Sequence, residues 1–341
     1  MFKKKLILDN FYKLIQKAKS SDDKRSIFKI RHYNKVIKII KSQDKQELEL
    51  YTLENYKSLL QQNGIKNPKK ILDKIRQLIE TGNLDELLSY QADPKIAAIK
   101  ELTSIYAVGP SKAKELYSKG IHNINELREK LLESPNLINN KQKLGLKYYN
   151  DLAKRIPRKE IDDYNILFQK ICQNMNILST IAGSYRRGAK DSGDIDLLIT
   201  SEKHQHKALK MLVDKLKQLG IIKEVLANGK KKFMGITILE NTSGLGGFYP
   251  YRHLDIVYTN IEEYPFAMLY FTGSGPFNVN MRKRATDLGY SLNEHNITYK
   301  QTKVKLETKT ILDKIGKLTI KTESDIFKLL KMEYKNPEDR N

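Results

Sequence analysis

Two aspartates one residue apart, Asp194 and Asp196, stand in the segment GSYRRGAKDSGDIDLLIT, which spans residues 183–200. The run from Asp194 to Ile199 is partly β-branched and follows a Ser-Gly turn signal, which predicts a strand entered from a loop. Alternate side chains of a strand share a face, so the two carboxylates are expected to lie together and to repel each other. They can face water, share a proton or hold a hard cation such as Mg²⁺. Spacing alone leaves a solvated strand end and a metal site both open.

The residues ahead of the aspartates are of the kinds that bind polyphosphates. Glycines allow backbone N–H groups to approach a ligand closely, and this segment also carries Ser184, Arg186, Arg187 and Ser192. Backbone N–H groups, hydroxyls and guanidinium groups together suit a triphosphate. An anion-binding loop that leads into a cation-binding strand favours a metal–nucleotide complex. A flexible basic loop beside a surface strand is the alternative.

A third acidic residue interrupts another apolar run. Strand-like patterns recur over residues 232–238 and 253–258, and the second of them, HLDIVY, contains Asp255 in its middle. A metal-facing carboxylate would explain a charge at this position, and a sheet-edge aspartate facing water is the alternative. A helix is predicted from Glu160 to Asn176, ahead of the aspartate strand.

The composition indicates a large basic protein with polyanionic partners. The chain has 341 residues, enough for two to four small domains, and a formal net charge of +22. Its one cysteine, Cys172, excludes a disulfide framework and argues against a cysteine-based zinc site. No apolar stretch reaches membrane-spanning length, so no membrane partner is expected. An intracellular location follows: the nucleus or, for a viral protein, the virion or a cytoplasmic factory.

The first part of the chain has helical periodicity and includes a candidate phosphate-binding turn. Apolar residues recur at three- and four-residue steps from Phe11 to Ser89, which predicts a small all-helical domain. Further on, Val108-Gly109-Pro110 predicts a tight turn, with Ser111 capping a helix that runs to Lys119. Backbone N–H groups at such a helix start bind a DNA phosphate in helix-hairpin-helix modules. A purely structural helical hairpin is the alternative.

Taken together, these segments resemble the family X DNA polymerases, and most closely their polymerase β type. GSYRRGAKDSGDIDLLIT resembles the nucleotidyltransferase signature, and RHLDIVY resembles the strand that carries the third aspartate. LYFTGSGPFNVNMRKRA is similar to the segment against which the incoming nucleotide packs, and GLKYYNDLAKRIPRKEI to the link into the palm. The motifs occur in the order and at the intervals of the family.

The resemblance implies an α+β multidomain fold. Residues 1–90 would form an all-helical lyase-like domain, and residues 91–157 a helix-hairpin-helix subdomain. A nucleotidyltransferase palm with a mixed or antiparallel sheet would follow over 158–262, and a C-terminal α+β subdomain over 263–341. The implied activity is gap-filling, DNA-directed DNA synthesis of the base excision repair type, with 5′-deoxyribose phosphate lyase activity.

The resemblance also implies roles for individual residues of the polymerase site. Asp194, Asp196 and Asp255 would be catalytic and would bind two Mg²⁺ ions, or Mn²⁺. The residues that match triphosphate contacts are Arg155, Ser184, Arg187 and Gly193. Those that match contacts to the sugar, the base or the template are Tyr270, Phe271, Gly273, Asn278 and Arg282.

Further residues match the family's DNA-binding and lyase positions. Lys74 matches the lyase nucleophile, and Lys29, Tyr33 and Lys70 match residues around the 5′-phosphate. Gly109 and Ser111 match DNA contacts of the second hairpin, where carbonyls of Thr103, Ile105 and Val108 would bind Na⁺ or K⁺. The implied partners of a monomer are gapped or nicked duplex DNA, deoxynucleoside triphosphates and other repair proteins such as a DNA ligase.

Some residues depart from the family pattern, and other functions stay open. The first hairpin, IKNPKK, lacks paired glycines, Ala107 replaces a usual glycine, and Gly275 replaces an acidic residue. Val257 stands where an arginine pairs with an active-site aspartate in polymerase β. A template-independent terminal nucleotidyltransferase shares the paired-aspartate core, and a non-catalytic DNA-end-binding scaffold is a further alternative.

Overall fold

The computed structural model describes residues 3–20, 23, 25–240 and 247–340. The chain divides into two compact units, residues 1–139 and 140–341. The finer division into four domains stays a prediction. Within the described residues, no helix is both long and apolar enough to cross a membrane.

The first unit is helical, as the periodicity predicts. Its buried apolar core draws on helices up to Leu87 and includes Phe11, Ile40, Tyr56 and Ile75. The helices are α1 (Lys3–Ser20), α2 (Ser26–Ser42), α3 (Lys45–Leu50), α4 (Leu53–Gln62), α5 (Lys69–Thr81), α6 (Asp85–Gln91), α7 (Pro94–Thr103), α8 (Pro110–Ser118) and α9 (Ile124–Glu133).

Helix α5 shows how the local sequence determines this arrangement. It buries Ile71, Ile75 and Leu78, which are spaced four and three residues apart and therefore share one face. The helix ends at Gly82, whose φ of 74° lies in the left-handed region that glycine adopts most readily. Because the chain turns there, α6 can return beside the exposed end of α5, with Leu84 and Leu87 in the core.

The hairpin between α7 and α8 differs in one detail from its prediction. Pro110 occupies the first turn of α8 and Gly109 is its N-cap, with no side-chain cap bond, so the expected capping role of Ser111 is wrong. Proline fits the first helical position because its missing N–H would have no partner there, and this moves the helix start before Ser111. A side chain at Gly109 would meet no atom within 4 Å, so the backbone at this helix start is open to a ligand.

Ala107, in the same hairpin, has a φ of 64°. A residue with a side chain is strained in this left-handed conformation by about 1 kcal/mol or more. Glycine recovers this strain but loses more chain entropy on folding. We therefore expect Ala107→Gly to stabilise the first unit by roughly 0.5–1 kcal/mol in urea unfolding. A matched Ala113→Gly substitution inside α8 should instead destabilise it, and equal effects of the two would contradict the expectation.

The second unit combines a mixed sheet with helices. Its elements are α10 (Asn140–Lys147), α11 (Tyr149–Leu152), β1 (Ile156–Pro157), α12 (Arg158–Asn174), β2 (Leu178–Ile181), α13 (Gly183–Arg186), β3 (Asp191–Ser192), β4 (Ile195–Thr200), α14 (Lys207–Gln218), β5 (Ile222–Asn228), β6 (Lys232–Thr237), β7 (Arg252–Tyr258), α15 (Tyr264–Thr272), α16 (Gly275–Asp287), β8 (Tyr290–Leu292), β9 (Ile297–Tyr299), α17 (Thr308–Ile315) and α18 (Glu323–Leu329). A short 3₁₀ helix, Pro337–Asp339, follows them.

Five strands form the central sheet, in the order β2-β4-β7-β6-β5. Strands β4 and β7 run parallel and the other neighbours run antiparallel, which confirms the predicted mixed sheet. Strand β4 is a nearly continuous apolar run because it lies in the sheet interior, and Ile195, Leu197 and Ile199 pack in a core with α12 and α14. The C-terminal region has a separate apolar cluster that includes Phe277, Met281 and Phe327.

Candidate active site

The sheet brings two of the three predicted carboxylates together. In the parallel pair β4–β7, Asp196 and Asp255 are register partners, so their side chains are neighbours on the same face. Asp194 lies just ahead of β4 and is exposed. The three aspartates therefore belong to two adjacent strands, with Asp194 at the start of β4 and Asp196 paired with Asp255.

The three carboxylates repel one another when all of them are ionised. Burial raises the pKa of Asp196 to about 7, and the carboxylates of Asp194 and Asp255 add to this rise, whereas Lys232 opposes it. An opposite charge placed among the three would favour their ionised forms. Asp196 is thus a carboxylate that a cation would stabilise.

Asp255 contacts two basic side chains of the chain itself. Lys232 Nζ lies 2.6 Å from Asp255 Oδ2, and His253 Nδ1 lies 3.3 Å from Oδ1. Burial lowers the pKa of His253, while Asp255 and Asp194 oppose that effect. Among the described residues, the buried Oδ1 of Asp255 accepts no hydrogen bond.

The donor set suits a hard divalent cation, since it consists of carboxylate oxygens, one of them buried without a hydrogen bond. The side chains are not gathered around one point, however. In the part of the chain that the structure describes, no group of three Asp, Glu, His or Cys side chains is placed to hold a metal ion. The donors are therefore chemically suited to a divalent cation. Asp255 Oδ2, however, is paired with Lys232.

Removal of the Lys232 ammonium should favour cation binding. An ion pair that is partly exposed contributes up to about 1 kcal/mol, which a cation must overcome to reach Asp255 Oδ2. We expect Lys232→Gln to tighten Mn²⁺ binding about fivefold, measured by electron paramagnetic resonance titration without DNA or nucleotide. Lys231→Gln removes the same charge from the neighbouring residue, which faces Glu263 instead. Equal tightening in both variants would show a net-charge effect only.

The loop ahead of β4 approaches the carboxylates closely. Gly183 has a φ of 58°, and a Cβ at this position would lie 2.8 Å from Asp196 Oδ2. Ala182 N–H donates to the Asp196 carbonyl at 2.8 Å, and Ser184 Oγ donates to Ser192 Oγ at 2.8 Å. Glycine is required at 183 for both reasons, conformation and space, and it brings the loop directly against Asp196.

The arginines predicted to bind phosphate lie beside this loop. Arg155 Nε and Nη2 both donate to Asp191 Oδ1, at 2.9 and 2.6 Å, although both side chains are largely exposed. A Cβ at Gly193 would lie 3.2 Å from Arg155 Nη1, so the backbone at this position closely approaches the guanidinium. Arg187 Nη1 donates to the Thr272 carbonyl at 2.6 Å, which ties the loop to the end of α15.

The residues predicted to contact the sugar, base and template lie at the α15–α16 junction. Asn278 Nδ2 donates to the Tyr270 carbonyl at 2.7 Å, and the Arg282 guanidinium lies over the Tyr270 ring, 5.1 Å from its centre. Phe271 lines the same small gap as Asp196 and Val257, so it adjoins the carboxylate strand. Gly273, with a φ of 66°, precedes a cis peptide bond to Ser274.

The predicted lyase residues of the first unit are also brought together. Lys29, Tyr33, Lys70 and Lys74 line one cavity of about 760 Å³, together with Glu86. Burial lowers the pKa of Lys74, and the charges of Lys17, Lys29 and Lys70 add to this effect. At the second hairpin, Thr103 ends α7, and Ile105 and Val108 are buried in the turn that follows. The Ile105 carbonyl accepts from Val108 N–H at 3.0 Å, and the cation site there stays a prediction.

Three further residues adjoin these sites and were not predicted from the sequence. Lys232 and His253 flank Asp255, and Glu86 contacts Lys74. His253 is two residues from Asp255 on the same strand, so alternation could have identified it. Lys232 and Glu86 had no such signal because each reaches its partner from another element.

Comparison with known protein families gives matches to three successive profiles. The fingers domain of DNA polymerase lambda matches residues 100–153, the DNA polymerase beta palm matches 155–260, and the DNA polymerase beta thumb matches 267–341. The palm match contains all three aspartates. The thumb match contains the α15–α16 junction, with the residues between 270 and 282 that are predicted to contact the sugar, the base and the template. The three matches follow one another in the order expected from the sequence.

Among curated proteins, DNA polymerase lambda of Rattus norvegicus is 30% identical over 282 residues, which are 80% of this chain and 47% of that protein. DNA polymerase lambda of Arabidopsis thaliana is 28% identical over 291 residues, 80% of this chain and 52% of that protein. DNA nucleotidylexotransferase of Xenopus laevis is 25% identical over 301 residues, 78% of this chain and 56% of that protein. The chain spans about half the length of these relatives. Its successive matches to polymerase fingers, palm and thumb, around a sheet that carries the paired aspartates, show that the chain belongs to the family X DNA polymerases.

Proposed function

We propose that this protein is a template-directed DNA polymerase that fills short gaps, adding a deoxynucleoside monophosphate from its triphosphate to a primer 3′-hydroxyl. The observation that carries the proposal is the pairing of Asp196 with Asp255 on parallel strands, with the Gly183 loop directly against Asp196. This arrangement provides a carboxylate cluster and a phosphate-binding loop within a few ångströms of each other.

Asp194, Asp196 and Asp255 would hold two Mg²⁺ ions, or Mn²⁺. Bound there, divalent cations acidify the primer hydroxyl and neutralise charge on the transferred phosphoryl group. The chain itself orients the triphosphate: Ser184 and the loop N–H groups face its oxygens, and Arg187 and Arg155 supply positive charge. Asp255, which contacts Lys232 and His253, would accept the proton of the hydroxyl.

The α15–α16 junction would select the sugar and base. Asn278 and Arg282 line one small recess with Tyr270, and they would contact the minor-groove edge of the incoming base and the template side, respectively. Tyr270, Phe271 and Gly273 would lie against the sugar, where backbone bulk disfavours a 2′-hydroxyl. Gapped or nicked duplex DNA is the proposed partner, bound in part through the open helix start at Gly109 and Ser111.

We also propose that the first unit is a 5′-deoxyribose phosphate lyase. Lys74 would attack C1′ of the ring-opened sugar and form an imine with loss of water. Loss of a C2′ proton then breaks the C3′–O bond and releases the DNA strand. The supporting observation is the cavity that Lys74 lines together with Lys29, Tyr33 and Lys70, which would bind the 5′-phosphate.

A single-nucleotide gap assay tests the polymerase proposal. We expect Mg²⁺-dependent addition of the one nucleotide complementary to the template, and strong discrimination against ribonucleotides. Addition without regard to the template would favour the terminal transferase alternative, which the similarity to a DNA nucleotidylexotransferase keeps open. DNA binding with no incorporation would favour the non-catalytic scaffold.

Borohydride trapping on DNA with a 5′-deoxyribose phosphate tests the lyase proposal. We expect a covalent adduct with the native chain and none with Lys74→Ala. Lys57→Ala, an exposed lysine of α4 in the same unit, serves as the control and should trap normally. A persistent adduct with Lys74→Ala would place the nucleophile elsewhere.

A further inference from the structure

The proposed lyase cavity contains a carboxylate in direct contact with its amine. Glu86, in the first turn of α6, pairs with Lys74 Nζ through its Oε1. Its other oxygen, Oε2, lies 3.6 Å from Lys17 Nζ, and Lys17 also donates to the Glu86 carbonyl at 2.8 Å. Lys17 on α1 therefore fixes both the side chain and the backbone of Glu86.

The cavity holds one further carboxylate, and it is placed differently. Asp73 precedes Lys74 on α5, and its Oδ1 lies 3.7 Å from Arg76 Nη1. The titratable groups that face the Lys74–Glu86 pair are Lys17 of α1, Lys29, His32 and Tyr33 of α2, and Lys69, Lys70 and Asp73 of α5. Of the carboxylates in this cavity, Glu86 is the one that the structure places in contact with Nζ.

We propose that Glu86 is the proton acceptor and donor for imine formation at Lys74. This inference rests on the proposed lyase function, and it adds a catalytic residue to it. When the Lys74 amine bonds to an aldehyde carbon, the carbonyl π electrons move to oxygen and nitrogen becomes positively charged. A proton then passes from nitrogen to the Glu86 carboxylate. Glu86 returns it to the alkoxide, which becomes the C1′ hydroxyl of a neutral carbinolamine. The remaining N–H proton then takes the same path through Glu86 to this hydroxyl, which leaves as water while the C=N bond forms.

The geometry favours this role over that of a static ion pair. Glu86 reaches Nζ from a different helix, and the Lys17 contact holds its second oxygen, so the first oxygen is directed at the nitrogen. Glu86 is only about one-third exposed, and Lys74 is less so, which limits exchange of the proton with bulk water. A group within hydrogen-bond reach of the reacting nitrogen typically contributes about 10²-fold or more as a general acid–base.

The test measures imine formation at Lys74 with pyridoxal 5′-phosphate, a phosphorylated aldehyde, trapped by cyanoborohydride and located by peptide mapping. We expect Glu86→Gln to slow trapping at least about tenfold at neutral pH, with partial recovery in Glu86→Asp. Added acetate should accelerate Glu86→Ala, which loss of a purely structural contact would not allow. Glu80→Gln, an exposed glutamate at the end of α5, should match the native chain.

The possible results distinguish the role of Glu86 from the lyase function itself. Unchanged or faster trapping with Glu86→Gln overturns the inference, because the carboxylate would then be dispensable or would merely hold Lys74 protonated. Absence of any adduct at Lys74 in the native chain overturns it as well. Glu86-dependent trapping without cleavage of the deoxyribose phosphate substrate would leave the Glu86 inference standing and reject the lyase proposal alone.

Discussion

Asp196→Asn should slow nucleotide incorporation strongly and at the same time stabilise the metal-free second unit. Loss of one preorganised charge in the carboxylate cluster is expected to reduce the incorporation rate by about 10³-fold. The same carboxyl has its pKa raised to about 7 by burial and by Asp194 and Asp255. Its ionisation therefore opposes folding, and removing the charge relieves this by roughly 2 kcal/mol after allowance for solvent screening.

The raised pKa of Asp196 also predicts how the stability gain of Asp196→Asn changes with pH. An ordinary aspartate of the unfolded chain is ionised above about pH 4, whereas native Asp196 holds its proton to about pH 7. The destabilisation is thus absent below pH 4, grows as the pH rises, and is complete above pH 7. Urea unfolding in the presence of a chelator should show a stability gain for Asp196→Asn at pH 8 and little at pH 4.5.

A matched substitution separates this effect from net charge. Asp214→Asn removes one negative charge from an exposed position of α14, where the carboxylate pairs with Lys210. Its unfolding free energy should stay within about 0.5 kcal/mol of the native value at both pH values. If Asp196→Asn were destabilising at pH 8 in the chelator, the carboxylates would not be in repulsive contact.

The local parts of this site could be predicted from the sequence, and the parts that depend on long-range pairing could not. Asp194, Asp196 and the glycine-rich loop occupy one contiguous segment, where turn and strand signals act over a few residues. The register that sets Asp255 beside Asp196 joins strands about sixty residues apart in sequence, and residue patterns give no direct signal for it. The resemblance to a family supplied that pairing instead.

Side chains that arrive from another element were the hardest to predict. Lys232 is one lysine of many in a chain of net charge +22, and only the β6–β7 pairing brings it to Asp255. Glu86 reaches Lys74 because the left-handed turn at Gly82 sends α6 back toward α5. The error at Ser111 was local, since a proline at the first helical position moved the helix start by two residues.

A buried ionic cluster connects Arg186, in the loop after β2, to Arg340. Arg186 Nη2 and Nη1 donate to the two oxygens of Glu323, at 2.7 and 3.0 Å, and Arg340 Nη1 donates to Glu323 Oε1 at 2.6 Å. Glu323 and Arg340 are almost fully buried. The Arg340 carbonyl accepts from Ser274 N–H at 3.1 Å, so the same residue anchors the α15–α16 junction.

Glu323→Gln should therefore cost about 3–5 kcal/mol of unfolding free energy in the second unit, because two guanidinium groups lose the carboxylate that neutralises them. Nucleotide affinity should fall as well, since Arg186 also donates to Thr272, whose carbonyl holds Arg187. Urea unfolding and fluorescence titration with a deoxynucleoside triphosphate measure the two effects. Glu333→Gln, at an exposed position, should change neither. A loss below 1 kcal/mol for Glu323→Gln would mean that the arginines find other partners, and the C-terminus would then have no role in fixing the nucleotide site.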